Sequence, residues 1–211
     1  MSLKIETFIL GPIDNNSYLL WDEDTRDAAV IDPSFDAGRV AESVLSNDLN
    51  LTGFWLTHGH FDHFVGTPAI IEILRRQAPL YLHKADLAMF ADGGLARQFG
   101  FPLPDMPNPT DYLTDGQILQ LGESKITVWH TPGHSPGHVI FYAEEISMLF
   151  TGDLIFRQSV GRTDLTGADS DELLRSIYNV VLPLPGETIL LSGHGEPTTI
   201  DDEVEYNPYL N

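Results

Sequence analysis

Short apolar and β-branched runs, broken by Gly, Pro, Asn and Asp, recur from the start of the chain and predict strands over residues 5–10, 17–21 and 28–31. The spacing then lengthens. Residues 39–45 read as a helix, 54–57 as a strand and 68–76 as a second helix, with Ile70, Ile71 and Leu74 on one side and Pro68 tolerated in the first turn. A strand at 80–83 precedes the segment 101–109, whose four prolines predict a long surface loop; such loops often border an active-site mouth. Two hairpins come next, 117–121 with 125–130 and 139–143 with 148–151, the second turning at Glu144-Glu145. An amphipathic helix is expected over 171–181, with Leu174, Ile177, Tyr178 and Val181 at helical spacing and Ser170 or Asp169 as its cap. Hairpins with interspersed helices give a fold class of α/β or α+β and no finer.

The residues just beyond the apolar runs carry the chemistry. Residues 54–57 lead into His58-Gly59-His60-Phe61-Asp62-His63, an H-x-H-x-D-H spacing. Imidazole nitrogen and carboxylate oxygen are ligands for zinc, iron and manganese, and two histidines at i and i+2 of an extended segment reach one ion from the same side. A polar loop that happens to be rich in histidine is the alternative, but three more runs end the same way. Residues 126–129 lead to His130 and His134, 148–151 to Gly152-Asp153, and 189–192 to Gly193-His194. Strand ends that each deliver ligand-type residues are how β-scaffolds build active sites.

Length and composition, 211 residues of which 42% are hydrophobic, suit one enzyme domain over residues 1–211, without linker or repeat. The net charge of −20, with eleven Lys and Arg, argues against nucleic acid as a partner. Absence of cysteine excludes a thiol nucleophile, disulfides and a Cys-containing metal shell. The first ten residues lack the basic head and apolar core of a signal peptide, so the cytoplasm is the expected location, with no membrane span.

With Asn15-Asn16-Ser17-Tyr18, Asp32-Pro33, the 58–63 cluster and the later strand ends together, the chain resembles a metallo-β-lactamase superfamily hydrolase, and within it the short, bacterial-type members of the glyoxalase II group. That resemblance implies an αββα sandwich, two mixed β-sheets flanked by helices. It implies a first metal held by His58, His60 and His134, a second by Asp62, His63 and His194, and Asp153 bridging them. The cofactors would be two divalent ions, zinc first, with iron or manganese fitting the same ligands. A hydroxide between the ions would attack a small-molecule thioester of the S-2-hydroxyacylglutathione type, with Asp62 also orienting it as a catalytic residue. A thiolate leaving group needs little general-acid help.

Substrate recognition departs from the larger relatives. Arg162 stands where they place a cation for glutathione, and it could instead pair internally with Asp164. Their two glutathione tyrosines are replaced by Asp164 and Glu196. The resemblance also admits a mononuclear iron sulfur dioxygenase, its iron on His58, His134 and Asp153, and, with less support, a non-catalytic metal-binding domain. His138 could support the ligands or line the pocket, and His130 and His83 fit hydrogen-bonding roles. Trp55, Trp129 and Phe150 fit buried strand positions.

Overall fold

The computed structural model describes residues 3–210. The first half builds one mixed sheet from β1 (Leu3–Leu10), β2 (Asn15–Asp22), β3 (Asp27–Ile31), β4 (Asn50–Trp55), β5 (Leu80–His83) and β6 (Asp111–Leu113), in that order across the sheet. The first two pairings are antiparallel hairpins; from β3 onward the pairings are parallel, so helices must carry the chain back. These are α1 (Gly38–Ser46) before β4 and α2 (Thr67–Leu74), α3 (Leu87–Ala91) and α4 (Ala96–Phe99) beyond it.

The second half repeats the plan with β7 (Ile118–Leu121), β8 (Ser124–His130), β9 (Val139–Ala143) and β10 (Met148–Gly152), a small ribbon of β11 (Ile155–Phe156) and β12 (Ser159–Val160), then α5 (Ser170–Ser176), β13 (Ile189–Ser192), β14 (Thr198–Thr199) and α6 (Ile200–Tyr206). Its sheet runs β14-β13-β10-β9-β8-β7, with β10 and β13 parallel and the other pairs antiparallel.

Alternation along the strands separates three cores. Leu20, Ala29, Ile31 and Trp55 of the first sheet meet Leu121, Val128, Phe141 and Phe150 of the second in the space between the sheets. Leu19, Val30 and Phe54 point the other way, under Val40 and Val44 of α1 and Ile70 of α2. On the far side Ile140, Leu149 and Leu190 pack with Leu173 and Ile177. The layers are therefore helix, sheet, sheet, helix, as expected.

Several expectations need adjustment. The second helix stops at Leu74, because Arg75 takes a left-handed conformation with φ of 51°. Asp169, not Ser170, caps α5, its Oδ1 accepting from the backbone N–H of Asp171 and Glu172. The helix expected over 171–181 is α-helical only to Ser176; Ile177–Val181 widens into a π turn. Tyr178 lies outside the buried face of Leu173, Ser176, Ile177 and Val181 and is 47% exposed, its hydroxyl donating to the Leu210 carbonyl. Trp55 and Phe150 are buried, whereas Trp129 is half-buried and stacked on Tyr142. The proline-rich segment 101–109 is indeed free of regular structure. Among the described residues no helix is long and apolar enough to cross a membrane.

Candidate metal centre

The ends of β4, β8, β10 and β13 deliver the ligand-type residues to one place. Beyond β4 the chain runs through Thr57 into His58 and His60, then makes a single 3₁₀ turn over Phe61–His63. His134 sits in the loop from β8 to β9, Asp153 comes directly after Gly152, and His194 lies just past β13. Among the described residues the ligand atoms fall into overlapping groups, each within 4.8 Å: His58, His60 and His134; His58, His63 and Asp153; Asp62, His63 and His194. All seven residues expected at the metals are thus brought together.

Hydrogen bonds outside the cluster fix which ring nitrogens face inward. A carbonyl oxygen only accepts, so His134 donates its Nδ1–H to the Arg162 carbonyl at 2.9 Å and His194 donates Nδ1–H to that of Ile13 at 3.1 Å. His63 donates Nδ1–H to the Asp32 carboxylate at 2.9 Å. Thr57 spends its hydroxyl proton on Asp32, so it accepts from Nδ1 of His58. In all four residues Nε2 is the nitrogen left pointing at the cluster. Nε2 of His58 and of His134 each lie 2.9 Å from Nδ1 of His60, where one proton cannot serve both. Two nitrogens on a single tetrahedral ion stand roughly 3.4 Å apart, so this tripod of lone pairs suits a cation. The buried Nε2 of His63 and Oδ1 of Asp153 have no hydrogen-bond partner among the described residues. They face each other across 3.5 Å. The donor set fits the expected metals.

Electrostatics agree with that fit. Burial, then the neighbouring histidines, push His58 well below the ordinary imidazole range, and burial with His134 brings His60 to about 3. Burial also lowers His134. These three rings are neutral donors near pH 7. Burial alone would raise the Asp62 carboxyl, but His63 and hydrogen bonds from His194 and Asn15 hold it at about 2. Asp153 is likewise held well below its usual range, against burial, by His63 and His194. Burial opposes charge on His63 and His194, yet the adjacent carboxylates raise both, Asp153 foremost. The second half of the cluster attracts positive charge.

Residues that carry the ligands emerge only in three dimensions. Asp32, at φ of 49°, accepts from Thr57 N–H and hydroxyl as well as His63. Buried Asp86 accepts from Gly59 N–H, Ser135 hydroxyl and Gly137 N–H, tying the His58–His60 loop to the His134 loop. Asn15 donates to Asp62, and Asn16 and Tyr18 donate to carbonyls beside His194. His138 is buried, its Nδ1 on the Thr131 hydroxyl and its Nε2 accepting from Asp153 N–H, so it positions the carboxylate. His83 and His130 stack on each other away from the cluster, with centroids 4.2 Å apart. The sequence signals for these supports are weak: an Asp after a strand and a lone Asp86.

A cavity of about 240 Å³ opens onto His60, Asp62, His134, Asp153 and His194. Arg162 stands in its wall, with Nε and one terminal nitrogen each 2.7 Å from an Asp164 carboxylate oxygen. The internal pair open to Arg162 from the sequence therefore exists, at an exposed rim.

Comparisons with known proteins converge. The model of the metallo-beta-lactamase superfamily matches residues 10–194. The hydroxyacylglutathione hydrolase GloC of Haemophilus influenzae is 36% identical over 213 residues, covering 99% of each protein. The crystal structure of the BLEG-1 B3 metallo-beta-lactamase superposes with a TM-score of 0.90 at 39% identity, covering 99% of this chain and 100% of that one. TTHA1623 in a di-iron-bound form gives 0.87 at 39% identity, covering 97% and 100%.

Proposed function

This chain belongs to the metallo-beta-lactamase superfamily, and we propose that within it the protein hydrolyses a thioester of the S-2-hydroxyacylglutathione type at a binuclear centre. The coarser statement, a metal-dependent hydrolase, rests on the family and the relatives. The observation that supports the binuclear centre is the convergence of ring nitrogens and carboxylates, with His58, His63, His134 and His194 each oriented by a hydrogen bond from outside the cluster, and the thioester substrate is supported by the GloC relative. His58, His60 and His134 would hold one ion, Asp62, His63 and His194 the other, and Asp153 both. Zinc is the first expectation; the di-iron form of TTHA1623 supports two-ion occupancy and keeps iron open. Bound there, such ions supply Lewis acidity that brings a water toward ionisation near neutral pH and polarises a carbonyl.

The chain's own groups do the rest. Asp62, fixed by Asn15 Nδ2 at 3.0 Å, stays ionised and is placed to orient an attacking water. Departure of a thiolate requires no acid, and apart from the ligands the cavity wall offers only Arg162 as a charged side chain among the described residues. Its pair with Asp164 is open to solvent, so a substrate carboxylate can take Asp164's place on the guanidinium fork. The GloC relative supports glutathione as the thiol.

Thiol release from S-lactoylglutathione, measured beside oxygen uptake with glutathione persulfide, tests the reading. Thiol release without oxygen uptake is expected. Arg162→Ala should raise KM for glutathione thioesters several-fold while sparing simple thioesters. Oxygen uptake as the dominant reaction would replace hydrolysis by the dioxygenase alternative.

A further inference from the structure

In a chain of net charge −20, two large hydrophobic side chains stay unburied at the rim of this cavity: Ile13 is 39% exposed and Phe99 42%. Concentrated apolar surface over a ligand cluster is the informative deviation from an ordinary polar surface. The wall has structure. Phe61, between His60 and Asp62 in the sequence, stacks on Phe99 at 6.1 Å and on Phe101 at 5.1 Å between centroids. Leu95 and Leu165 extend the lining. An aromatic cluster, with Phe61 buried within it and Phe99 exposed at its edge, therefore begins beside His60 and Asp62.

Charge is muted along the same wall. Arg162 pairs with Asp164 at the exposed rim, and its guanidinium carbon lies 5.9 Å from the centre of the Phe99 ring. The cavity is small, about 240 Å³, so a group that reaches the wall must be joined closely to the reacting carbonyl.

We infer that Phe61, Phe99, Phe101, Ile13 and Leu165 form a subsite for an apolar substituent attached to the scissile carbonyl, on its acyl or its sulfur side. The preferred substrates are thioesters with an alkyl or aryl group there, ahead of lactoyl thioesters. This rests on the reading of the site as a thioester hydrolase, and it deepens that reading by naming the substituent that selects the substrate.

The test is kcat/KM on the metal-replete protein in two arms. One holds glutathione and varies the acyl group through lactoyl, 2-hydroxybutyryl, 2-hydroxyhexanoyl and mandeloyl. The other holds lactoyl and varies the thiol through N-acetylcysteamine, its butyl homologue and benzyl mercaptan. In the arm whose substituent meets the wall, kcat/KM should rise roughly fourfold per added methylene, the gain for burying one such group. Phe99→Ala should cut that rise to below about twofold, and Ile13→Ser, at an exposed position, serves if the first variant folds poorly. Flat or falling values in both arms, or a rise that both variants retain, overturn the subsite and leave hydrolysis standing. No turnover of any thioester overturns the hydrolase reading and the subsite with it.

Discussion

Asp86 contacts none of the ligand nitrogens yet determines where two of the loops that carry them lie. Gly59 and Gly137 have no Cβ where one would strike it, and their N–H groups close on its carboxylate at 2.8 and 2.6 Å. Asp86→Ala would strand these two donors and the Ser135 hydroxyl inside the protein, at about 1–3 kcal/mol for each buried group. Thermal unfolding should occur several degrees lower, and metal affinity should fall at least about tenfold by titration, as for other groups that orient ligands. Unchanged affinity would assign Asp86 to folding alone. The ligand histidines also set a pH dependence. His60, at about 3 in the fold against 6.5 unfolded, takes up protons in the unfolded chain first, so stability falls as pH drops from 6.5 toward 3. Asp62, lowered to about 2 from 3.8, continues the loss at still lower pH. His63 and His194 are raised, so their contribution is full below pH 6.5 and is lost as pH climbs through their folded values. Chelated, metal-free protein should therefore show a melting temperature that peaks near pH 6.5 and declines on acidification; a steady rise toward pH 4 would contradict the signs.

At the level of elements, strand ends place the chemistry and glycines make room for it. Gly193 leaves β13 against Asp153 Oδ1 and His63, and Gly152 leaves β10 at φ of +47° beside Thr57 and His138. A methyl group on Gly193 would occupy the space beside the Asp153 carboxylate. Gly193→Ala should lower bound metal and reduce turnover at least tenfold with an unchanged far-UV spectrum; full metal content would show the spacing to be slack. The strands feeding the ligands are legible in the sequence because apolar alternation and a succeeding Gly or ligand residue are local signals. Other stretches are not. Helices α3 and α4 are only five and four residues long, too short for periodicity to show. Strand β14 is two residues whose pairing depends on β13, far from any local cue. Helix α6 is signalled only by its acidic start, Asp201 to Glu203 after the capping Thr199, a charge pattern that suits a helix N-terminus but lies outside the apolar alternation. The buried positions of this stretch are Leu173, Ser176, Ile177 and Val181, so Tyr178 falls outside the face although its aromatic ring suits the apolar pattern. Within the site, the ligands are legible as a motif, while Asp32, Asp86 and Asn15 are not legible as supports, because a carboxylate or amide that holds a loop carries no spacing signature.

For the molecule as a whole, two sheets packed face to face give a rigid floor, and ligands from both sheets meet only when the sheets are packed. Folding and the centre are therefore coupled, and metal should stabilise the entire sandwich by mass action. The most direct measurement is metal content per chain by mass spectrometry, combined on one sample with thioester turnover before chelation, after it, and after metal is restored. Close to two ions per chain, with turnover lost on chelation and recovered as the second ion returns, is the expected result. Turnover that survives complete removal of metal, or a fully active protein holding no ion, would contradict it.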